Sequence, residues 1–209
     1  MTSQTSAHVA PARPGPGAPV LLLHAWWGLN QPIKDLADRL AGDGFTVMAP
    51  DLFDGIVLTT IEEAEAHAGE MDRDYERTLG RIGAAVDDLL AHPDARGEQA
   101  GIVGLSFGAW YGTRVAEARP EVIALVCIYS GVFEAPDGVA YLGHFAEDDQ
   151  FDDSSQVAGL QAALGERGTA HIYPGTKHWF VESDRPEYDA EAAELAYTRT
   201  VEFLRRQLA

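Results

Sequence analysis

Cysteine is nearly absent from this chain, with a single residue, Cys127, among 209. One thiol excludes an internal disulfide and any metal centre built on several cysteines. Its place inside an apolar run makes it a small core residue. Long hydrophobic runs are missing as well. The longest, Val122 to Tyr129, suits a buried strand and falls far short of a bilayer span. Basic residues are scarce, with 15 Lys and Arg against 33 Asp and Glu and a formal net charge of −18. A surface of that sign repels nucleic-acid phosphates and acidic membranes, so neither is expected as a partner. The first 18 residues, MTSQTSAHVAPARPGPGA, lack an apolar signal core and read as a disordered tail. Residues 19–209 then form one domain, and a cytoplasmic location is expected. Oligomeric state is left open by all of these features.

What the chain does contain is a regular alternation of two patterns. Val20 to His24, Phe45 to Ala49, the run ending at Leu105, Val122 to Tyr129, Val139 to Phe145 and Ala170 to Tyr173 are short apolar runs of strand length. Between them, apolar residues recur at helical spacing: Ile33, Leu36, Ala37 and Leu40 behind the cap Asn30, then Leu79, Ile82, Val86 and Leu89. Thr60 and Glu63 form a capping box for a further, polar helix. Val157, Leu160 and Leu164 mark another helix, and Tyr197, Val201, Leu204 and Leu208 a last one. Strands alternating with helices along the chain predict an α/β fold, a mostly parallel central sheet with helices on both faces. Sites in such sheets lie at the carboxyl ends of the strands.

One stretch carries chemistry. In AGIVGLSFGAWYG, an apolar strand ends in Gly104-Leu105-Ser106-Phe107-Gly108 and a helical pattern follows until Pro120. This is the G-x-S-x-G nucleophile elbow, a tight strand-to-helix turn that exposes a serine Oγ and aims the next backbone N–H, that of Phe107, at a developing oxyanion. A serine hydroxyl needs a base oriented by a carboxylate, in the chain order Ser, Asp or Glu, His. Of the seven histidines, only His178 lies in the loop after the last strand. The loop after the preceding strand offers Glu147, Asp148, Asp149, Asp152 and Asp153, and spacing alone leaves Asp148 and Asp149 close.

The segments HAWWGLN, APDLF, GLSFG, HFAEDDQF and GTKHWF fall in the order and spacing of the dienelactone hydrolase family, a branch of the α/β-hydrolases, and the chain from Val20 onward resembles it. The resemblance implies Asp149 as the acid, beside Ser106 as nucleophile and His178 as base, and it adds the N–H of Trp26 to that of Phe107 as the oxyanion hole. It departs from the family's type enzymes in four places. Ser106 stands for their cysteine, Ala25 for a glutamate that contacts it, and Val181-Glu182 for a substrate-gripping arginine; an amino-terminal hairpin is missing. The expected activity is therefore cleavage of a small ester or lactone through an acyl-enzyme, without metal or organic cofactor. A thioesterase or small-peptide hydrolase would use the same machinery, and a non-catalytic ligand-binding protein is the reading from another class. Trp27, Phe53, Phe151 and Trp179 are expected to line the substrate pocket. Glu182 and the net charge disfavour carboxylate-bearing substrates unless Arg73, Arg77 or Arg81 reaches the site.

Overall fold

The computed structural model describes residues 6–130 and 132–209. Its strands are β1 (Ala7–Ala10), β2 (Ala18–Leu23), β3 (Phe45–Pro50), β4 (Ala100–Leu105), β5 (Val122–Ile128), β6 (Ala140–Ala146) and β7 (Gly168–Tyr173). Its helices are α1 (Gln31–Gly42), α2 (Ile61–Arg73), α3 (Tyr75–Leu90), α4 (Phe107–Ala118), α5 (Val157–Leu164) and α6 (Ala190–Gln207). The strands make one seven-stranded sheet in the order β1-β3-β2-β4-β5-β6-β7. Every pairing is parallel except that of β1 with β3.

Strand periodicity divides the core in two. Val20, Leu22, Val103 and Val126 point to the face covered by α1 and α6, where Ile33, Leu40, Val201 and Leu204 meet them. Their neighbours Leu21, Leu23, Ile102 and Leu125 point to the other face, against Ile82, Val86 and Leu89 of α3, Val115 of α4 and Leu160 of α5. Each such side chain contributes about 1.5–3 kcal/mol on burial, and strands apolar on both faces have no other stable setting. Cys127 lies in the second core, where burial pushes its thiol up to about 11, so it is a packing residue and not a nucleophile at neutral pH. Among the described residues, no helix is long and apolar enough to cross a membrane.

The amino-terminal segment differs from expectation. Residues 1–5 of the expected tail lie outside the described residues, but Ala7–Ala10 form an edge strand in register with Val47 to Pro50. Asp51 N–H donates to Ser6 O at 2.7 Å, the His8 imidazole meets Asp38 at 2.8 Å, and Ala10 and Ala12 are buried. A Pro/Ser/Ala composition shows no side-chain pattern here because the strand is held mainly by its backbone ladder, which any sequence can supply. The chain therefore does carry an amino-terminal strand where the sequence suggested a missing element.

Candidate active site

The carboxyl ends of β2, β4, β5, β6 and β7 meet at one edge of the sheet. Between β4 and α4 the backbone reverses at Ser106, whose φ of 49° and ψ of −115° lie where few non-glycine residues go. The turn closes because of its two glycines. A Cβ on Gly104 would stand 2.5 Å from the Cα of Ala109, and one on Gly108 would stand 2.5 Å from the carbonyl oxygen of Leu23. Gly108→Ala should therefore destabilise the fold by about 3 kcal/mol or more, since its obstacles, the carbonyl oxygens of Leu23 at 2.5 Å and His24 at 2.6 Å, are backbone atoms and cannot turn aside. Urea unfolding measures this, and a change under 1 kcal/mol would mean the turn has slack. The turn is further tied by Ser106 N–H to Ile128 O at 2.9 Å, and Ser106 O accepts from Ala109 and Trp110 N–H. Phe107 is the first residue of α4, so its N–H has no partner within the helix and points from the positive end of the helix dipole.

Ser106 Oγ lies 2.9 Å from Nε2 of His178. On the other side of the ring, Nδ1 lies 2.7 and 3.0 Å from the two carboxylate oxygens of Asp149. A carboxylate only accepts, so Nδ1 carries the proton and Nε2 is left to accept from the serine hydroxyl. Asp149 is held in turn by N–H groups of its own loop, with Phe151 N at 2.9 Å and Asp152 N at 3.1 Å from Oδ1. Asp148 is exposed; it uses its backbone N–H on Thr176 O, and only Asp149 of the two meets His178. The imidazole is clasped by aromatic rings as well, with Tyr129, Phe151 and Trp179 centred 4.6, 5.0 and 5.2 Å away. A serine, a neutral imidazole and a buried carboxylate in this line can generate an alkoxide-like nucleophile and return its proton to a leaving group.

The profile of the Dienelactone hydrolase family matches residues 5–208. The chain belongs to this family. A protein of Azospirillum brasilense provisionally named carboxymethylenebutenolidase is 33% identical over 228 residues, spanning 97% of this chain and 94% of its own. A carboxymethylenebutenolidase homolog of Rattus norvegicus is 29% identical, spanning 87% of this chain and 75% of its own. Among solved structures, a dienelactone hydrolase-like promiscuous phosphotriesterase from metagenomic libraries superposes with a TM-score of 0.79 at 19% identity, covering 99% of this chain and all of that one. The dienelactone hydrolase of Anabaena variabilis gives 0.70 at 20% identity, covering 97% and 92%. These two establish the α/β-hydrolase fold. As a dienelactone hydrolase family member, the chain is a hydrolase of ester bonds, a lactone being an internal ester.

In this family member, Ser106 and His178 open into a cavity of about 280 Å³ lined also by Trp26, Phe107, Trp110, Tyr129, Ser130, Phe151, Asp72 and Asp152. Of the four expected pocket residues only Phe151 lines it. Trp27, Phe53 and Trp179 are each 1% exposed and sit one layer behind. Trp27 and Trp179 pack on each other at 5.1 Å, with the Arg185 guanidinium 3.9 Å above Trp27, and Phe53 backs Phe107 at 5.6 Å. They shape the wall without forming its surface. Trp110, Tyr129 and Asp72 were not anticipated, and Asp152 only as one of the candidate acids; of the first three, Tyr129 alone carried a signal, as the residue directly after a parallel strand. Two residues before Trp26, which lines the cavity, stands His24, a buried histidine held neutral, its value lowered to about 4 by burial. His24 Nε2 accepts from Leu52 N–H at 3.2 Å, so Nδ1–H donates to Ala25 O at 2.6 Å and fixes the loop. Asp149, Asp152 and His178 bring donor atoms within 4.8 Å of one another, the spacing of a metal site, but two of the three are engaged with each other.

The candidate arginines stay away from the cavity. Arg81 is bound to Asp54 and to the Asp51 and Leu52 carbonyls, while Arg77 pairs with Asp74 and Arg73 with Glu70. Glu182 is absent from the mouth too: it is 1% exposed, lies under the Tyr129 hydroxyl, which donates to Oε1 at 2.9 Å, and faces a separate cavity between α1 and α6. Its expected repulsion of substrate therefore does not arise. Burial pushes its carboxyl up to about 8, with Asp184 and Glu187 adding to the rise and Tyr129 and Arg185 opposing it. The native state then keeps a proton on Glu182 that the unfolded chain releases near the ordinary 4.5. Stability should fall as pH rises through that window and level off above it, because the native state binds more protons there. Glu182→Gln should flatten this dependence, a gain on the order of a few kcal/mol at high pH, read by urea unfolding at both ends of the window. Parallel curves for both proteins would mean Glu182 is charged throughout.

Proposed function

We propose that this protein cleaves a small carboxylic ester or lactone through an acyl-enzyme on Ser106. The observation that carries the reading is the unbroken line from Ser106 Oγ to His178 at 2.9 Å and on to Asp149 at 2.7 Å. As Oγ attacks the carbonyl carbon, its proton passes to His178 Nε2, and the negative charge gathers on the carbonyl oxygen, where the N–H groups of Trp26 and Phe107 receive it. Preorganised donors of this kind are worth about 3 kcal/mol each in the barrier. The carbon–oxygen bond to the alcohol then breaks, and the leaving oxygen takes the proton from Nε2. Water, deprotonated by the same nitrogen, attacks the acyl carbon and returns the serine with release of the acid. A lactone gives one hydroxy acid instead of two products. Asp149 holds the imidazole tautomer throughout and offsets the charge of the imidazolium.

Support for a compact substrate comes from the cavity, whose about 280 Å³ suits a short acyl chain or one ring and whose walls are largely aromatic. A Bradyrhizobium relative, 28% identical over 209 residues and spanning 90% of this chain, is named as a probable lactonase of an oxofuranylidene propanoate. Esters, lactones and thioesters share this machinery. A panel of small acyl esters, lactones and acyl thioesters, with fluorophosphonate labelling alongside, tests the reading. Turnover of esters or lactones with labelling at Ser106 is expected; thioesters alone would move the assignment to a thioesterase, and absence of both turnover and labelling would leave a binding protein.

A further inference from the structure

Glu182 is a buried carboxyl that packing alone does not explain. Its Oε2 has no hydrogen-bond partner among the described residues, while Oε1 accepts from the Tyr129 hydroxyl at 2.9 Å. Burying a carboxyl that is only half satisfied costs stability that a methionine of similar length would not cost. Glu182 does not line the cavity of Ser106 and His178, so contact with substrate does not explain it either. Its one hydrogen-bonded side-chain neighbour among the described residues, Tyr129, does line that cavity, and the Tyr129 ring is centred 4.6 Å from that of His178 at an angle of 50°.

Tyr129 is tied to the nucleophile as well. It follows Ile128, whose carbonyl oxygen accepts the Ser106 N–H, and its own N–H donates to His144 O at 2.8 Å. Its φ of 39° is one that non-glycine residues seldom adopt, a strain that collects at functional sites. Glu182 belongs to the loop that carries the base, where its N–H donates to Trp179 O at 2.9 Å and its carbonyl accepts from Arg185 N–H at 3.0 Å. The bond between Tyr129 and Glu182 therefore joins the end of β5, which holds the nucleophile's turn, to the loop of the histidine. Asp149 grips the imidazole at one atom, Nδ1, and a tether at one atom leaves the ring free to swing. A swing carries Nε2 away from Ser106 Oγ, and a misplacement of about 1 Å at reacting atoms can cost about a hundredfold in rate. Of the three rings packed on the imidazole, Phe151 is exposed and Trp179 leaves its Nε1 without a partner. Among the described residues, Tyr129 alone of the three is anchored by a side-chain hydrogen bond.

We infer that Glu182 is a positioning residue of the reaction: its carboxyl holds the Tyr129 hydroxyl, and the tethered Tyr129 ring keeps His178 Nε2 aligned with Ser106 Oγ. The inference rests on the acyl-enzyme reading above and adds a member to the machinery that carries it out. Burial keeps the carboxyl largely protonated near pH 7, so glutamine is its neutral mimic and retains an oxygen to accept from Tyr129.

The test compares wild type, Glu182→Met, Tyr129→Phe, the double variant and Glu182→Gln at pH 7 on one small neutral ester. Two things are read: kcat and KM, and the low-field proton resonance of His178 Nδ1–H in the free enzyme, which reports how firmly the ring is held and needs no turnover. Glu182→Met and Tyr129→Phe should each lower kcat by about tenfold with KM within about twofold, and each should broaden the resonance. The double variant should fall no further than the slower single one, because both substitutions remove the same bond. Glu182→Gln should stay within about threefold of wild type and keep a sharp resonance. The inference is overturned if Glu182→Met keeps the wild-type kcat and resonance, if the losses multiply in the double variant, or if Glu182→Gln is as slow as Glu182→Met. A rise in KM at constant kcat overturns it too, since that belongs to a wall of the cavity. Should Glu182→Met not fold, Tyr129→Phe, which keeps the ring, is judged by the same two readouts. Wild type that turns over the ester and is labelled by fluorophosphonate at Ser106, beside an unimpaired Glu182→Met, defeats this inference alone; wild type with neither turnover nor labelling defeats the acyl-enzyme reading with it.

Discussion

Ser106→Ala should abolish ester turnover, with kcat down by about 10⁴-fold or more, and leave the fold intact. Among the described residues the side chain hydrogen-bonds to His178 alone, and the residue lines the cavity, so removing Oγ sacrifices little packing. Alanine also inherits the same unfavourable φ of 49° as serine, so the strain of the turn is unchanged. What remains after the change is the cavity and, on the proposed mechanism, the N–H groups of Trp26 and Phe107, which still bind the ester but have no atom to attack it. The prediction is checked by steady-state kinetics beside a thermal melt. Turnover within tenfold of wild type would remove Ser106 from the chemistry, whereas a melt lowered by more than a few degrees would make the rate uninformative.

Asp149→Asn should reduce kcat by up to about 10⁴-fold, while Asp148→Asn should change it by less than about threefold. The two residues are adjacent, have the same side chain and differ by one step of chain direction. Only Asp149 receives the His178 Nδ1–H, and its Oδ1 is already fixed by two loop N–H groups. An asparagine there can turn its amide toward the ring and force the proton to Nε2, which leaves the serine facing a donor. KM for the same ester should move little in either variant, because neither side chain lines the cavity. The opposite ranking of the two variants would shift the acid by one residue.

The parts of this account that the sequence made legible are those with a local cause. Ser106 could be read because its glycines are demanded by backbone contacts two residues away on either side, and His178 because it alone follows the last strand. Between Asp148 and Asp149 the choice depends on how the loop is pinned, and the pin, Asp148 N–H on Thr176 O, joins two loops that sequence keeps apart. Strand β1 escaped notice because backbone pairing carries it. Trp27, Phe53 and Trp179 flank catalytic positions in sequence just as Trp26 and Phe107 do, yet tertiary packing turns their rings inward. Asp72 shows the limit most clearly: it arrives from a polar helix with no motif, and only the fold brings that helix to the nucleophile. Glu182 looked like a mouth residue from its spacing after His178 and proved to be buried behind Tyr129.

The central claim is that an acyl group resides on Ser106 during turnover. Rapid acid quench of the enzyme with a small activated ester, followed by intact mass measurement and peptide mapping, tests it most directly. The account predicts a mass gain of one acyl group, formed in a burst stoichiometric with active sites and mapped to the peptide that holds Ser106. Full ester turnover with no acylated protein at any quench time, or an acyl group on another residue that forms and decays at the turnover rate, would contradict it.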